Sequence, residues 1–463
     1  MEKTAKPKIN IPAKATVWYL ASGIIGKAIG ILATPFFTRL LSEEEYGTFT
    51  LYMTVLGGAS IICSSLSSGS AVYSGFVKFK EGISNFKSSV LFVSSLFSVT
   101  ICLLLFALIP FFDIPRVLFI PLSLQIICDS IMAVFYSYSR FNYRYVTVCA
   151  MTMISYILPP ALSLFMLTAY GGGYKIRIFA LLAVSISSAL FALLYLLRER
   201  GRVSLKMCRS LIRSAAPLLP HSISGAVVAQ ADKLIISFLL GRVALAKYSV
   251  ASSIGISGMF LVNSLGGALN PWIIRRLGSN EIQRISDLLS PTFAIICSAS
   301  LFITAIAPEG IGILAPREYY DAVYSVLPIA MSCISSFILS SATVGLVFAG
   351  KGRYTVYLSF ISSFWCIALG LLFVNVIGYV GGAIALLITQ SVGAVIAIGF
   401  LAKIGLGDMF DMKKCIYGLI FTLAWGLVIL LLYPFPALRV LALIPPALTL
   451  VNSLLNAKDM IFE

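Results

Sequence analysis

The sequence predicts an all-α polytopic membrane protein of fourteen transmembrane helices, six plus six with two more at the C-terminal end. Three observations predict it. The chain is 59% hydrophobic and 11% charged over 463 residues, a balance that no soluble domain holds. Apolar runs of 18 residues or more recur from end to end, each long enough to cross the hydrocarbon layer as a helix. The basic residues also rise and fall in number from loop to loop, as membrane sidedness requires.

The spans of the first half run 15–41, 47–77, 87–112, 116–139, 145–169 and 178–197. Those of the second run 215–240, 248–271, 288–314, 324–349, 354–376 and 379–402, followed by 415–433 and 437–456. This sets an N-lobe at 1–197, a cytoplasmic amphipathic linker at 198–214, a C-lobe at 215–402 and the two added helices at 415–456. The segment Met1 to Lys14 is basic and polar, so no cleavable signal is expected ahead of a full-length first run.

Span one carries Lys27 in its middle, which costs roughly 2.5–3.5 kcal/mol on insertion scales. At about 100° per residue, Thr16, Tyr19, Gly23, Gly26, Lys27, Gly30, Thr34 and Thr38 share one face, while Val17, Ile24, Ala28, Ile31 and Leu32 point the other way. That face is either a packing surface with Lys27 paired, or the wall of a hydrated cavity holding an anion. Pro35 would kink the helix near its far end. Arg39 follows at the outer end, where snorkelling to headgroups is the default explanation.

Span two begins after Glu43, Glu44 and Glu45 and closes in Lys78 and Lys80. Span four holds Asp129 on a face with Gln125 and Tyr136; it is a counter-charge for a lysine, a proton or sodium coupling site, or a group in a wet crevice. In the linker, Arg202, Lys206, Arg209 and Arg213 share a helical face opposed to apolar residues, the pattern of an interfacial helix with its basic side towards anionic headgroups.

Span seven repeats the pattern of span one. His221, Ser222, Gly225, Ala229, Asp232 and Lys233 fall on one stripe. Asp232 and Lys233 are neighbours about 100° apart and do not simply neutralise each other, so a structural ion pair and a cavity cation both remain open. His221 is either a proton relay or a hydrogen-bonded packing residue. The ending Leu40-Leu41-Ser42, a short turn and Tyr46 is echoed by Leu239-Leu240-Gly241, a short turn and Tyr248. Two halves of parallel topology follow from this echo.

With the N-terminus inside, 24 of the 34 Lys and Arg residues fall on inner segments, 8 on outer segments, and Lys27 and Lys233 within spans. Both termini are therefore expected in the cytoplasm. The net charge of +16 reflects this sidedness and not nucleic-acid binding. Seven of the nine cysteines lie within spans and none in an outer loop, so free thiols are expected. No metal-ligand spacing, phosphate-binding glycine loop or carboxylate pair in a polar loop appears, and no loop could house a catalytic domain. The chain reads as a transporter, not an enzyme.

Three segments carry a family resemblance: TRLLSEEEYG after span one, QADKLIISFLLG followed by YSVASSI in spans seven and eight, and APEGIGILAPREYYDAVYSVLPI after span nine. Together they resemble the polysaccharide transporter family, the O-antigen or repeat-unit flippases of the multidrug/oligosaccharidyl-lipid/polysaccharide (MOP) superfamily. The resemblance implies two six-helix lobes in a V with two added helices. It implies alternating access that moves an undecaprenyl-pyrophosphate-linked oligosaccharide from the inner to the outer leaflet of the bacterial inner membrane for O-antigen, capsule or exopolysaccharide assembly, the lipopolysaccharide route included. Lys27 and Lys233, with Arg39 beyond them, would then hold the pyrophosphate, and Asp232, Asp129 and His221 would set charge balance or coupling to Na+ or H+, with no other cofactor. A groove near the last two helices would take the prenyl tail. A polysaccharide polymerase and a chain-length regulator are the implied partners. The single lysine of span one departs from the arginine-rich first helix of lipid II flippases, and the lack of an acid there departs from many multidrug/cation antiporters of the same fold; these are the alternatives.

Overall fold

The computed structural model describes residues 11–112, 115–199 and 201–462, without the side chains of 11–17, Leu20, 108–112, Ala268 and 457–462. Lys3, Lys6, Lys8, Lys14, Arg200 and Lys458 of the charge count, and Thr16 and Val17 of span one, lie outside the described residues or side chains. Helices and short 3-10 turns make up the regular structure, with no strand among the described residues.

The chain divides into two compact units. The first holds the described residues up to Glu45 together with Tyr52–Ile223, the second Tyr46–Leu51 and everything from Ser224 onward. In the first lie α1 (Ile11–Leu40), most of α2 (Glu43–Ser67), α3 (Ser70–Lys78), α4 (Ile83–Phe112), α5 (Phe119–Phe141), α6 (Tyr145–Tyr170), α7 (Gly173–Leu197) and α8 (Leu205–Ala215). The second holds most of α9 (Leu219–Gly255), then α10 (Gly258–Gly278), α11 (Ile282–Leu314), α12 (Val326–Phe348), α13 (Gly352–Ile377), α14 (Tyr379–Lys403), α15 (Met412–Leu431), α16 (Pro436–Leu441) and α17 (Ile444–Phe462).

The turns explain where the helices stop. Ser42 caps α2: its hydroxyl accepts from the Glu45 amide at 3.2 Å, and the Glu45 carboxylate accepts from the Ser42 amide at 3.1 Å. This capping box satisfies two donors that a helix start leaves open. Gly241 takes φ 82° and ψ −175°, which only glycine adopts without strain, and there α9 is broken between spans seven and eight.

Thirteen helices among the described residues are long and apolar enough to cross a membrane, where the sequence predicts fourteen. The difference lies at span eight. It begins as a continuation of span seven in the stretch Leu205–Gly255, then breaks at Ile256–Ser257 and resumes as α10. Span two breaks in the same way at Ser68–Gly69, between α2 and α3.

The internal repeat is visible in the packing. In the first unit α3 packs on α4, α4 on α5, α5 on α7 and α6 on α7. In the second, α10 packs on α11, α11 on α12, α12 on α14 and α13 on α14. The turns agree as well. The Arg144 amide reaches back to the Ser139 carbonyl after α5, and the Lys351 amide to the Leu346 carbonyl after α12, the same six-to-one closure. Tyr143, at φ 54°, stands where the second half has Gly350, at φ 71°.

Lys87, on α4, is buried. It is 1% exposed, and its ammonium lies 3.0 Å from Glu199. The Tyr138 hydroxyl donates to the same carboxylate at 2.6 Å. All nine cysteines are free and buried.

Candidate functional site

In α1, Ser22, Gly26, Thr34, Phe37 and Thr38 are buried, and the helix packs on α6. Gly26 permits that approach: a Cβ there would lie 2.2 Å from the Tyr156 ring. Lys27 is exposed within the fold, one residue round from the packed face. A Cβ at Gly23 or Gly30, the residues four before and three after it, would meet nothing within 4 Å. The stripe predicted as one face is therefore two: Gly26, Thr34 and Thr38 pack, while Gly23, Lys27 and Gly30 open outward. Arg39, also exposed, donates to the Pro35 carbonyl of its own helix at 2.9 Å.

Asp129, on α5, accepts from the Ser60 hydroxyl of α2 at 2.9 Å. One turn away Gln125 is buried, its carbonyl oxygen accepting from the Tyr52 hydroxyl at 2.8 Å and its amide donating to Ser185 on α7 at 3.3 Å. A polar seam thus joins α2, α5 and α7 inside the first unit. Sequence reasoning found Asp129 and Gln125 but not their hydroxyl partners, which lie 60 to 73 residues away.

In the second unit Asp232 is 7% exposed and accepts from the Tyr248 hydroxyl at 2.7 Å. Its other oxygen, Oδ1, is buried without a hydrogen-bond partner. The pair staples α9 across its own break at Gly241. Lys233 is half-buried, on the ridge that runs through Ala229 and Gly225 to His221; all three are exposed, and a Cβ at Gly225 would meet nothing within 4 Å. So Asp232 turns into the unit while the Lys233 ridge lies along a face of small side chains, as the 100° offset between neighbours requires. Close approach to α13 is made by Ile235, whose Cδ1 would lie 2.6 Å from a Cβ at Gly370.

The second unit also holds a groove of about 700 Å³ between α11, α15 and α17. Phe293, Ala294, Cys297 and Phe421 line it, with Asp287 and Lys414 among its charged groups. Ser298 and Thr449 hydrogen-bond at 2.9 Å within its wall. Among the described residues no group of His, Cys, Asp and Glu side chains is arranged to hold a metal ion.

Comparison with known proteins places this geometry. The family described as "Polysaccharide biosynthesis protein" matches residues 13–276. A search of curated proteins finds no match. Among solved structures, the lipid II flippase MurJ in an inward closed conformation superposes with a TM-score of 0.77 at 15% identity, covering 96% of this chain and 100% of that one. A MOP superfamily transporter from Pyrococcus furiosus gives 0.58 at 15% identity, covering 88% and 99%. An inward-facing multidrug resistance MATE family transporter of the same superfamily gives 0.60 at 14%, covering 83% and 95%. The fold is that of the MOP superfamily.

Proposed function

Because the chain belongs to the polysaccharide biosynthesis protein family, we propose that it is a flippase for an undecaprenyl-pyrophosphate-linked oligosaccharide, moved from the inner to the outer leaflet of a bacterial cytoplasmic membrane for surface polysaccharide assembly. One observation carries the reading: each half places a lysine within an apolar span, on a ridge of glycine and alanine left open by its own unit. A diphosphate cannot enter hydrocarbon unpaired, and fixed cations beside small side chains give it both charge and room. The groove against α15 and α17 suits the prenyl tail where Phe293, Ala294, Cys297 and Phe421 line it, with Asp287 and Lys414 among its polar groups.

In this reading Lys27 and Lys233 hold the pyrophosphate, and Arg39 meets it at the outer end. Asp232 and Asp129, each held by a hydroxyl, set charge balance and couple transport to Na+ or H+, with His221 at the start of α9 as a further titratable group. Both termini face the cytoplasm, and a polymerase and a chain-length regulator act on the product. A cation antiporter is less well served, because α1 contains no acidic residue.

The test is genetic. Lys27→Ala and Lys233→Ala are each expected to abolish surface glycan while the protein still reaches the membrane, and Lys→Arg at either position to be milder. Normal glycan in both alanine variants removes the proposed site.

A further inference from the structure

We propose that the cleft between α3 and α8 is a binding site for the phosphate of an anionic phospholipid. The cleft measures about 970 Å³ and lies within the first unit. Lys78 and Phe79 line it from the end of α3, and Lys206, Arg209 and Arg213 from α8, together with Ser210 and Ser214. Among the described residues no carboxylate lines it. Glu199, close by in sequence, is taken by Lys87 and Tyr138.

The α8 helix sorts its side chains by angle. Cys208, Leu211 and Ala215 are buried against the unit. Turning round the helix, exposed Leu205 and Ile212 come next, then Arg209, Arg213 and Lys206, then the two serines. Lys78 closes the far side, its ammonium 3.3 Å from the Ser210 hydroxyl and 5.4 Å above the Phe79 ring.

Four cations from two elements thus converge with two hydroxyls on one cleft. Guanidinium forks and ammonium donors suit phosphate oxygens. The apolar pair Leu205 and Ile212 borders the cations on the side away from the serines. A soluble phosphate has no use for that border. A phospholipid does: its phosphate sits among the cations and its acyl chains run past the apolar pair.

The site is independent of the flippase reading, because it uses neither Lys27 nor Lys233. The full-length protein in detergent, titrated by native mass spectrometry, tests it. Phosphatidylglycerol, cardiolipin, phosphatidylcholine, undecaprenyl diphosphate and inorganic pyrophosphate are the probes. The wild type is expected to retain the two anionic phospholipids over phosphatidylcholine, and Lys206→Gln/Arg209→Gln/Arg213→Gln to lower that retention about tenfold or more. The charge-preserving Lys206→Arg/Arg209→Lys/Arg213→Lys should keep it, which separates loss of charge from loss of fold. Leu205→Ser/Ile212→Ser should weaken the phospholipids and leave inorganic pyrophosphate unchanged. The proposal is overturned if the triple glutamine variant retains both phospholipids as the wild type does. It is equally overturned if the loss falls only on undecaprenyl diphosphate or only on inorganic pyrophosphate.

Discussion

The two halves of the chain share a scaffold and differ in what each hangs on it. Their third spans, α4 and α11, occupy the same place in the packing order. On α4 sits the basic helix α8; on α11 sit α15 and α17 with the groove between them. The carboxylates within the spans diverge as well. Asp129 stands on the fourth span of its half and Asp232 on the first span of the other, yet both accept from a hydroxyl on the second span. The repeat therefore fixes helix packing, while single residues and added helices set the chemistry of each half.

The close approach between the first and fifth spans of each half offers the largest test of this view. In the first half the glycine is on α1 and the bulky side chain, Tyr156, on α6; in the second the glycine is on α13 and the bulky side chain, Ile235, on α9. At Gly26 a new Cβ strikes Cγ and Cδ2 of the tyrosine ring, next to its root, at 2.6 and 2.2 Å. At Gly370 it strikes only the far methyl of Ile235, which can turn aside. Gly26→Val is expected to destabilise by roughly 2–3 kcal/mol and Gly370→Val by about 1 kcal/mol or less, read as shifts of the thermal midpoint in detergent. Tyr156→Ala should recover much of the first loss. Equal losses at the two sites would break the comparison.

The hydroxyls come next. Tyr248→Phe leaves both oxygens of a buried carboxylate unpartnered and should cost about 2 kcal/mol. Ser60→Ala should cost less, about 1 kcal/mol, because Asp129 is half-buried where Asp232 is 7% exposed. A larger cost for Ser60→Ala would reverse the ranking of the two carboxylates.

Much of this was legible in the sequence, and the rest was not for identifiable reasons. Apolar runs fix where helices lie, and Gly241 announces its own turn. The breaks inside spans two and eight fall in SSLSSGS and SSIGISG, polar and glycine-rich stretches submerged in apolar runs. Helical periodicity placed Lys27 and Gly26 on one stripe, but a stripe about 120° wide holds both a packed edge and an open one. Only the neighbour, Tyr156, decides between them. Partner choice is tertiary in the same way: nothing near Asp129 in sequence points to Ser60, and nothing near Lys87 marks it as buried.

Lys87 gives the smallest expected effect and the one that depends on pH. The hydrogen bonds from Tyr138 and then Lys87 hold the Glu199 carboxyl below its ordinary range. A carboxylate whose folded pKa is depressed stabilises the fold at pH above its unfolded value, near 4.3, and that contribution is lost as the pH falls towards the folded value. The first unit should therefore lose stability on acidification below about pH 4.5, and Glu199→Gln should remove that part of the slope. The change is under about 1 kcal/mol, because Glu199 is 42% exposed and water screens the pair. Thermal midpoints from pH 6 down to about 3.5 for the wild type and Glu199→Gln would show it as two curves that converge in acid. Parallel curves would mean that Lys87 is held by its burial over the Tyr138 ring and not by the carboxylate.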